Sequence, residues 1–330
     1  MMIVLTVLSV VCATVPMIGF LALVWWLDRH DREPVWLVAF TFLWGAIGSV
    51  FLALIGSTLL LAPLTALLGP ELGERMGAVV VAPLVEEPTK ALILFAVMYS
   101  RHFDNASDGF VYGAAAGLGF GMTENLFYFL NVAASGDATA WATTVLIRTF
   151  FSAVMHACAT SSVGAALGWA RFRGWGPKVL ALPIGFGTAI GIHALWNGLL
   201  TVGEIQQTTV WTTVNLVLFP FEVVLLFVVF QLALWDERAT IRRELADEVN
   251  HGLLPLHHAS HIASWWSRSR RHWVPRGVPH AQYVKAAITL ALRKHQCRNV
   301  GASQYAFYAD EVVRLRREIQ ALLALERRGG

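Results

Sequence analysis

Residues 209–235 read TVWTTVNLVLFPFEVVLLFVVFQLALW, an apolar run that contains a single charged side chain, Glu222. About 20 such residues in a helix cross the roughly 30 Å hydrocarbon core of a bilayer, so this run predicts a transmembrane helix. Six comparable runs precede it in the chain. We therefore predict an all-α, polytopic transmembrane bundle of about seven spans, at about 3–27, 35–62, 74–99, 108–132, 142–170, 178–202 and 209–235.

The composition favours a membrane protein over a soluble one. Hydrophobic residues make up 56% of the chain, charged residues 14%, and the mean hydropathy is +0.56. A soluble domain usually carries about 25% charged residues. The first run lacks the basic leader of a signal peptide, so we expect it to be retained as a span. The cysteines are scattered (Cys12, Cys158 and Cys297), which argues against a disulfide framework and a cysteine-rich zinc site.

The basic residues lie in alternate connections between the predicted spans. Lys and Arg follow the first, third, fifth and last spans, whereas the other three connections are nearly free of them. Because basic connections tend to stay in the cytoplasm, this alternation predicts an N-terminus outside the cell and a C-terminus in the cytoplasm.

The end of the chain differs in composition from the rest. Residues 236–330 hold 16 of the 25 Lys and Arg but only 9 of the 22 Asp and Glu. We predict a transmembrane domain at 1–235 and a basic cytoplasmic region at 236–330. Within that region, 251–280 is expected to be irregular and 281–327 to form two amphipathic helices. The residues spaced for the apolar faces of these helices are Tyr305, Val312, Leu315, Ile319 and Leu322.

The basic tail is expected to lie beside the lipid bilayer, because anionic lipid attracts Lys and Arg by about 1 kcal/mol per residue near the surface. No motif indicates nucleic-acid binding. The tail also carries a group of histidines, which we interpret as solvated side chains rather than metal ligands: His251, His257, His258 and His261.

Charged groups inside the predicted spans are functional candidates, because each costs about 2.5–3.5 kcal/mol to insert at mid-bilayer. The first cluster is Glu86-Glu87-Pro88-Thr89-Lys90 in the third span. We expect Lys90, one helical turn from Glu86, to neutralise that carboxylate and to leave Glu87 available. Pro88 interrupts the helix hydrogen bonds and gives water access to the backbone.

Three further polar clusters follow on the next three spans. The fourth span carries Glu124 and Asn125 after a glycine series that predicts close approach of another helix. The fifth carries His156, and the sixth carries His193 and Asn197 on one helix face. The glycines are Gly113, Gly117, Gly119 and Gly121. If the four spans bundle, their polar clusters meet in one water-filled cavity.

The residue types in these clusters are ones used in hydrolysis, and the hydrolytic motifs that the chain lacks limit the possible mechanisms. The chain has no HExxH, no GxGD aspartate pair within the spans and no GxSxG, which leaves water activated by glutamate, with or without a metal. Glu86 or Glu87 would take the proton of the water, and His193 with Asn197 would stabilise the oxyanion.

Glu124 and His156 have two alternative roles in this scheme. They position the water, or they join His193 in a metal site, for which Zn²⁺ is the candidate because it accepts His and Glu ligands. The full set of predicted catalytic residues is Glu86, Glu87, Glu124, His156, His193 and Asn197. A different interpretation is a carrier or binding scaffold that uses the same acids and histidines without hydrolysis.

The order of these motifs resembles the PrsW family of bacterial intramembrane proteases, a branch of the CAAX-protease and bacteriocin-processing superfamily. The resemblance covers about residues 15–235. It is carried by EExxK (Glu86-Glu87…Lys90), FxxxE (Phe120…Glu124), His156 and HxxxN (His193…Asn197).

The resemblance implies an all-helical protein of the bacterial cell membrane that hydrolyses peptide bonds within or near the bilayer. It also implies that the partners are membrane-anchored protein substrates, such as single-pass regulators. Because the family has been classed both as metallo-type and as glutamic-type, the resemblance leaves the cofactor open. The wider superfamily usually has His in the second motif, where this chain has Glu124.

Overall fold

The computed structural model describes residues 2–28, 32–100 and 102–325, which are mostly helical and contain no β-strand. Within these ranges the chain forms seven long helices followed by four shorter ones. The long helices are α1 (Met2–Leu27), α2 (Val35–Leu68), α3 (70–97), α4 (Ala106–Ser135), α5 (Ala138–Arg171), α6 (Trp175–Ile205) and α7 (Val210–Asn250). The shorter helices are α8 (Leu256–Ile262), α9 (Trp265–Arg268), α10 (His280–Asn299) and α11 (Ala302–Ala324).

Five helices in the described part of the chain have both the length and the apolar composition of a membrane span: α1, α2, α5, α6 and α7. This confirms the prediction of an all-α polytopic membrane bundle. Helices α3 and α4 are also long, but they carry the acidic and other polar clusters, which lower their hydropathy. The count of seven spans and the orientation of the termini therefore stay predictions.

Three of the long helices contain a π-helical segment. These segments are Trp44–Ser49 in α2, Gly77–Val81 in α3 and Arg148–Ser152 in α5. A π-helical turn holds an extra residue, which shifts the faces of the helix before and after it, and such turns are frequent at functional sites. The segments of α2 and α5 lie on helices that pack against α4, and the segment of α3 lies on the helix that carries Glu86 and Glu87.

Helix α4 begins at a capping box and ends at a glycine. The side chain of Asn105 accepts hydrogen bonds from the backbone N–H groups of Ser107 and Asp108, while the Asp108 carboxylate accepts from the N–H of Asn105. These bonds satisfy donors that a helix N-terminus otherwise leaves unpaired. At the other end Gly136 has a φ of 74°, a left-handed conformation that glycine adopts without strain.

The glycines of α4 bring its backbone against α2 and α5. A Cβ atom on Gly117 would lie 2.3 Å from the carbonyl oxygen of His156, and one on Gly119 would lie 2.0 Å from that of Phe42. Neither position accommodates a side chain without displacing backbone. The close helix approach predicted from the glycine spacing is confirmed, and it fixes the backbone of α5 at His156.

The chain separates into two compact units. The first contains the described residues up to Phe230 except residue 32 and 172–174; the second contains those residues and the chain from Gln231 onward. The core of the first unit is built around α4, which is buried along most of its first half. The domain boundary at 235/236 stays a prediction.

The second unit has its own apolar core, built from α7, α10 and α11. Two helices lie where 281–327 predicted them. Val312, Leu315 and Ile319 are buried as the spacing indicated, but Tyr305 is 55% exposed and Tyr308 is buried instead. An ion-pair group at Glu248, which binds Lys294 at 2.5 Å and Arg316 at 2.7 Å, lies beside this core.

Two expectations for the tail were wrong. The stretch 251–280 contains the short helices α8 and α9 rather than being irregular throughout. His258 is buried, with Nδ1 2.8 Å from the hydroxyl of Tyr283 and its ring packed against Trp273. The polar sequence around His258 gave no sign that two aromatic residues further along would cover it.

Candidate active site

The carboxylate of Glu87 is the buried centre of the polar cluster. It accepts hydrogen bonds from Lys90 Nζ at 2.8 Å, from His193 Nδ1 at 2.8 Å and from the hydroxyl of Thr160 at 3.1 Å. Glu87 thereby joins α3 to α5 and α6. With three donors and no exposed surface, it is held as an acceptor for its neighbours and has no free side toward water.

Lys90 is fully buried and binds several members of the cluster. Its Nζ lies 2.8 Å from Glu87, 2.9 Å from Nδ1 of His156 and 3.4 Å from Glu86 Oε2, and it stands 3.9 Å above the ring centre of Phe120. The expected pair of Lys90 with Glu86 is present, but the expectation that Glu87 is left available is wrong. Lys90 reaches the buried carboxylate more closely, and Glu86 is the acid that keeps some exposure.

His156 lies between a cation and an acid. Because an ammonium group donates hydrogen bonds and cannot accept them, Lys90 donates to Nδ1, and the ring hydrogen is then on Nε2. That atom is 2.6 Å from Oε2 of Glu124 and donates to it. The hydrogen-bonding capacity of the His156 ring is thus fully used by α3 and α4.

His193 has a different environment. Its Nδ1 donates to Glu87, which leaves the lone pair on Nε2, 3.8 Å from Glu86 Oε2. A carboxylate that holds the outer nitrogen of a histidine is the usual arrangement behind a metal ligand. The two histidine rings stand at 89° with their centres 4.9 Å apart.

Arg148 is a member of the cluster that the sequence reasoning missed. Its Nη2 pairs with Glu124 Oε2 at 2.9 Å, its Nε donates to Asn125 at 3.1 Å, and its guanidinium stacks 3.6 Å from the ring of Tyr128. A lone arginine inside the fifth apolar run was the available signal. Arg148 is the first residue of the π-helical segment of α5.

Asn197 takes part in a different contact. Its carboxamide donates to the carbonyl oxygen of Ala78 at 2.8 Å. Ala78 belongs to the π-helical segment of α3. Asn197 therefore connects α6 to that segment. The other five predicted catalytic residues are connected to one another, directly or through Lys90, by hydrogen bonds and ion pairs.

Two of the acids face a cavity of about 370 Å³ between α2, α3 and α4. Its walls are mostly apolar, with Glu74, Glu86 and Glu124 as the acidic side chains. The π-helical residues Gly77 and Ala78 line it as well. The cavity brings an apolar space into contact with the polar cluster.

Glu86, His156 and His193 each offer a ligand atom, and these atoms lie within 4.8 Å of one another. Two histidines and a glutamate form a known donor set of catalytic zinc sites. The sequence predicted Glu124 with the two histidines. In the structure Glu86 takes the place of Glu124 in this group, and Glu124 is hydrogen-bonded to one of its histidines.

A second group of ligand-type side chains, Asp28, Glu33 and Asp108, is also buried. Its members have structural partners in the fold. Asp108 caps α4, and Glu33 accepts a hydrogen bond from the hydroxyl of Tyr112.

Comparison with known protein families identifies the family to which the chain belongs. The family described as PrsW family intramembrane metalloprotease matches residues 33–232, which contain α2 to α6 and every member of the cluster. The chain belongs to the PrsW family. The resemblance inferred from the motifs is thereby confirmed.

Individual PrsW proteases show the same relationship. Protease PrsW of Bacillus subtilis (strain 168) is 27% identical over 193 residues, which are 56% of this chain and 79% of that protein. Protease PrsW of Clostridioides difficile (strain 630) is 39% identical over 106 residues, or 32% of this chain and 43% of the relative. Protease PrsW of Geobacillus kaustophilus (strain HTA426) is 29% identical over 158 residues, which are 48% of this chain and 64% of that protein. No solved structure matches.

As a PrsW protein, the chain is an intramembrane protease and a multi-pass protein of the bacterial membrane. The peptidase interpretation is confirmed, and nothing in the comparisons favours a carrier. The family description is that of a metalloprotease, which agrees with the converging ligand atoms. The tail beyond residue 232 lies outside the family match.

Proposed function

We propose that the cluster is the hydrolytic centre, with Glu86, His156 and His193 as ligands of a divalent metal ion and Glu124 as the general base. The observation that carries this proposal is the convergence of three ligand atoms within 4.8 Å, next to a second glutamate that faces the same cavity. Zinc is the candidate ion because His and Glu are among its preferred ligands.

The residues present fit such an ion. His193 has an available lone pair at Nε2, and Glu87 holds its other nitrogen. Glu86 keeps some exposure to the cavity. At His156 both ring nitrogens have partners, so binding of the ion there would displace either the bond to Lys90 or the bond to Glu124. When bound there, the ion supplies Lewis acidity toward the scissile carbonyl group and the attacking water.

The chain's own residues supply the proton transfer. Glu124 lines the cavity and would take the proton of the attacking water, then return a proton to the leaving amine. Arg148 pairs with Glu124 Oε2 at 2.9 Å and would hold the carboxylate in its ionised, proton-accepting form. We assign Glu87 a positioning role rather than that of the base, because Lys90, His193 and Thr160 occupy its oxygens.

Asn197 is assigned to the wall of the cavity. Its bond to Ala78 supports a role in fixing the π-helical segment Gly77–Val81, which lines the cavity. The alternative, in which Asn197 stabilises the oxyanion with His193, requires release of that bond. Both roles give Asn197 a part in catalysis without contact to the metal.

The substrates in this proposal are membrane-anchored proteins, of which single-pass regulators are one class. The family's activity and the apolar walls of the cavity support this class. We further propose that 1–235 forms the protease domain with an outside N-terminus, and that 236–330 is a cytoplasmic region.

Metal analysis of the purified protein tests the proposal. We expect about one zinc ion per chain, loss of metal and of reporter cleavage on chelation, and recovery of both with added zinc. The reporter is a single-span membrane protein with a fluorescent label on each side. Glu86→Gln and His193→Ala should lose metal and cleavage, whereas Glu204→Gln, at an exposed acid, should keep both. Full cleavage after complete metal removal would contradict the metal assignment and favour a glutamate-only mechanism.

A further inference from the structure

Arg268, the last residue of α9, is a buried cation in the second unit. Its side chain is 6% exposed, and none of the described residues supplies a hydrogen-bond partner to Nε, Nη1 or Nη2. Burial lowers the pKa of Arg268 to about 10, which still leaves it protonated at neutral pH. A buried charge without a partner is destabilising, and a guanidinium offers five donors in a planar fork. The site therefore lacks an anion.

The surrounding sequence supplies no such anion. From Val249 to Ala309 the chain contains no Asp and no Glu. The acid that precedes this stretch, Glu248, pairs with Lys294 and Arg316. No acid within this stretch can pair with Arg268, and none of the described acids elsewhere in the chain does so.

The segment around Arg268 has the composition of a membrane-surface element. Residues 265–276 read WWSRSRRHWVPR. Trp266 is 76% exposed, and Arg270, Arg271 and Arg276 are exposed as well. Tryptophan is enriched at the level of the lipid headgroups, and exposed basic residues are attracted to anionic lipid. The tail follows the last span directly, so this segment is tethered to a bilayer.

We propose that Arg268 binds the phosphate of an anionic phospholipid headgroup. Arginine matches phosphate geometry with two parallel hydrogen bonds, and the three nitrogens of Arg268 have no partner among the described residues. Because these nitrogens are enclosed, the Arg268 side chain would turn outward to reach the headgroup. Trp266 would lie among the headgroups beside the bound lipid, and Arg270 and Arg271 would add electrostatic attraction. Arg268 gives the site its selectivity for a phosphate group over simple negative charge.

The full-length protein in a neutral maltoside detergent tests this site. We expect native mass spectrometry to show dioleoylphosphatidylglycerol bound in preference to dioleoylphosphatidylcholine, and the phosphatidylglycerol to raise the unfolding temperature. Arg268→Met should weaken phosphatidylglycerol binding at least tenfold. Without lipid its unfolding temperature should equal or exceed that of the wild type, because the substitution removes a buried unpaired charge.

Matched variants and ligands separate the alternatives. Arg276→Gln, at an exposed arginine of the same segment, should change the affinity no more than about twofold, the effect of a rim charge. Arg268→Lys keeps the charge but loses the fork, so an intermediate affinity is expected. An equal effect of inorganic phosphate would replace the lipid with a free anion and overturn the proposal. The proposal would also be overturned if Arg268→Met preferred phosphatidylglycerol as strongly as the wild type does, or if that variant unfolded at a lower temperature than the wild type without lipid. A wild-type protein that shows no preference for phosphatidylglycerol over phosphatidylcholine would overturn it as well.

Discussion

His156 Nε2 lies 2.6 Å from Oε2 of Glu124, and this bond joins the cavity-lining acid of α4 to a buried histidine of α5. Lys90 holds the other ring nitrogen at 2.9 Å. The ring is therefore fixed from both sides, and Glu124 is directed by its partner instead of rotating freely in the cavity.

Replacing Glu124 by glutamine should separate proton transfer from metal binding. The amide keeps the size of the side chain but cannot take a proton, so we expect the reporter cleavage rate to fall by about 10²–10⁴-fold, the usual contribution of a general base. The zinc content should stay near that of the wild type. Zinc analysis and cleavage rates on the same preparation measure both.

Glu74→Gln is the matched control, because Glu74 lines the same cavity. We expect its rate to stay within about threefold of the wild type, in the range of a surface charge effect. A Glu124→Gln variant that loses zinc while Glu74→Gln keeps it would make Glu124 a metal ligand instead of the base.

Glu87 should act on the metal through His193. Glu87→Gln replaces a charged acceptor by a neutral amide that faces Lys90 and His193, and we expect metal affinity to fall by about 10–100-fold, as when outer partners of ligand histidines are removed. Zinc affinity measured by chelator competition checks this.

The Thr160→Val variant removes one of the hydrogen bonds to Glu87 and leaves the carboxylate in place, so its effect should be smaller. Thr58→Val, at an exposed threonine of α2, provides the control for the threonine-to-valine change itself. Equal zinc affinity of Glu87→Gln and the wild type would remove the positioning role.

Gly117 should tolerate no side chain. In Gly117→Ala the new methyl group would meet the His156 carbonyl oxygen at 2.3 Å, so α4 and α5 have to separate. We expect a loss of about 1–3 kcal/mol in the free energy of unfolding, typical of overpacking, and at least a tenfold drop in cleavage.

Gly191→Ala on α6 is the control, because a Cβ there meets no atom within 4 Å. This variant should be neutral or slightly more stable, since alanine favours a helix by about 1 kcal/mol over glycine. Thermal unfolding followed by tryptophan fluorescence compares the two, and equal stability of both variants would argue against the close contact.

The tail should lose stability as the pH falls below about 6.5. Burial, with His257 and His261 nearby, lowers the pKa of His258 to about 4. The unfolded chain then takes up a proton near pH 6.5 that the folded tail does not. Stability is complete above pH 6.5 and falls toward pH 4, by about 2 kcal/mol at pH 5.

Hydrogen exchange of α10 in the full-length protein at pH 7.5 and pH 5 measures this change, after correction for the intrinsic exchange rate. His258→Phe keeps the ring packing and removes the titration, so its pH dependence should be weaker. His251→Gln, at an exposed histidine, should behave like the wild type. An unchanged pH dependence in His258→Phe would show that another group is responsible.

Much of the fold and of the site was predictable because the relevant signals are local. Apolar length identified the long helices, and an acid or histidine inside such a run identified Glu86, Glu124, His156 and His193. These residues meet because a bundle has only one interior in which polar side chains avoid lipid. The glycines of α4 indicated which helices approach closely.

The contacts that the sequence did not predict depend on the local geometry of the helices. The i,i+4 spacing indicated the pair of Lys90 with Glu86, which is present at 3.4 Å, but it did not indicate the closer contact of Lys90 with Glu87 at 2.8 Å. Arg148 enters the site at the start of a π-helical segment, and such segments have no clear sequence signature. The bond from Asn197 to Ala78 involves another one. Spacing rules assume regular helices and therefore miss these contacts.

The position of the two acids sets a condition on what is cut there. Glu86 and Glu124 face the cavity from its walls, so the scissile carbonyl group would have to approach them without another partner. In an α-helix that carbonyl oxygen accepts a hydrogen bond from the N–H group four residues further along the chain. A membrane-anchored substrate would therefore have to unwind locally before it is cut. Cleavage would then be favoured where the substrate's own helix is weakest, near glycine or proline, so that local helix stability selects the peptide bond.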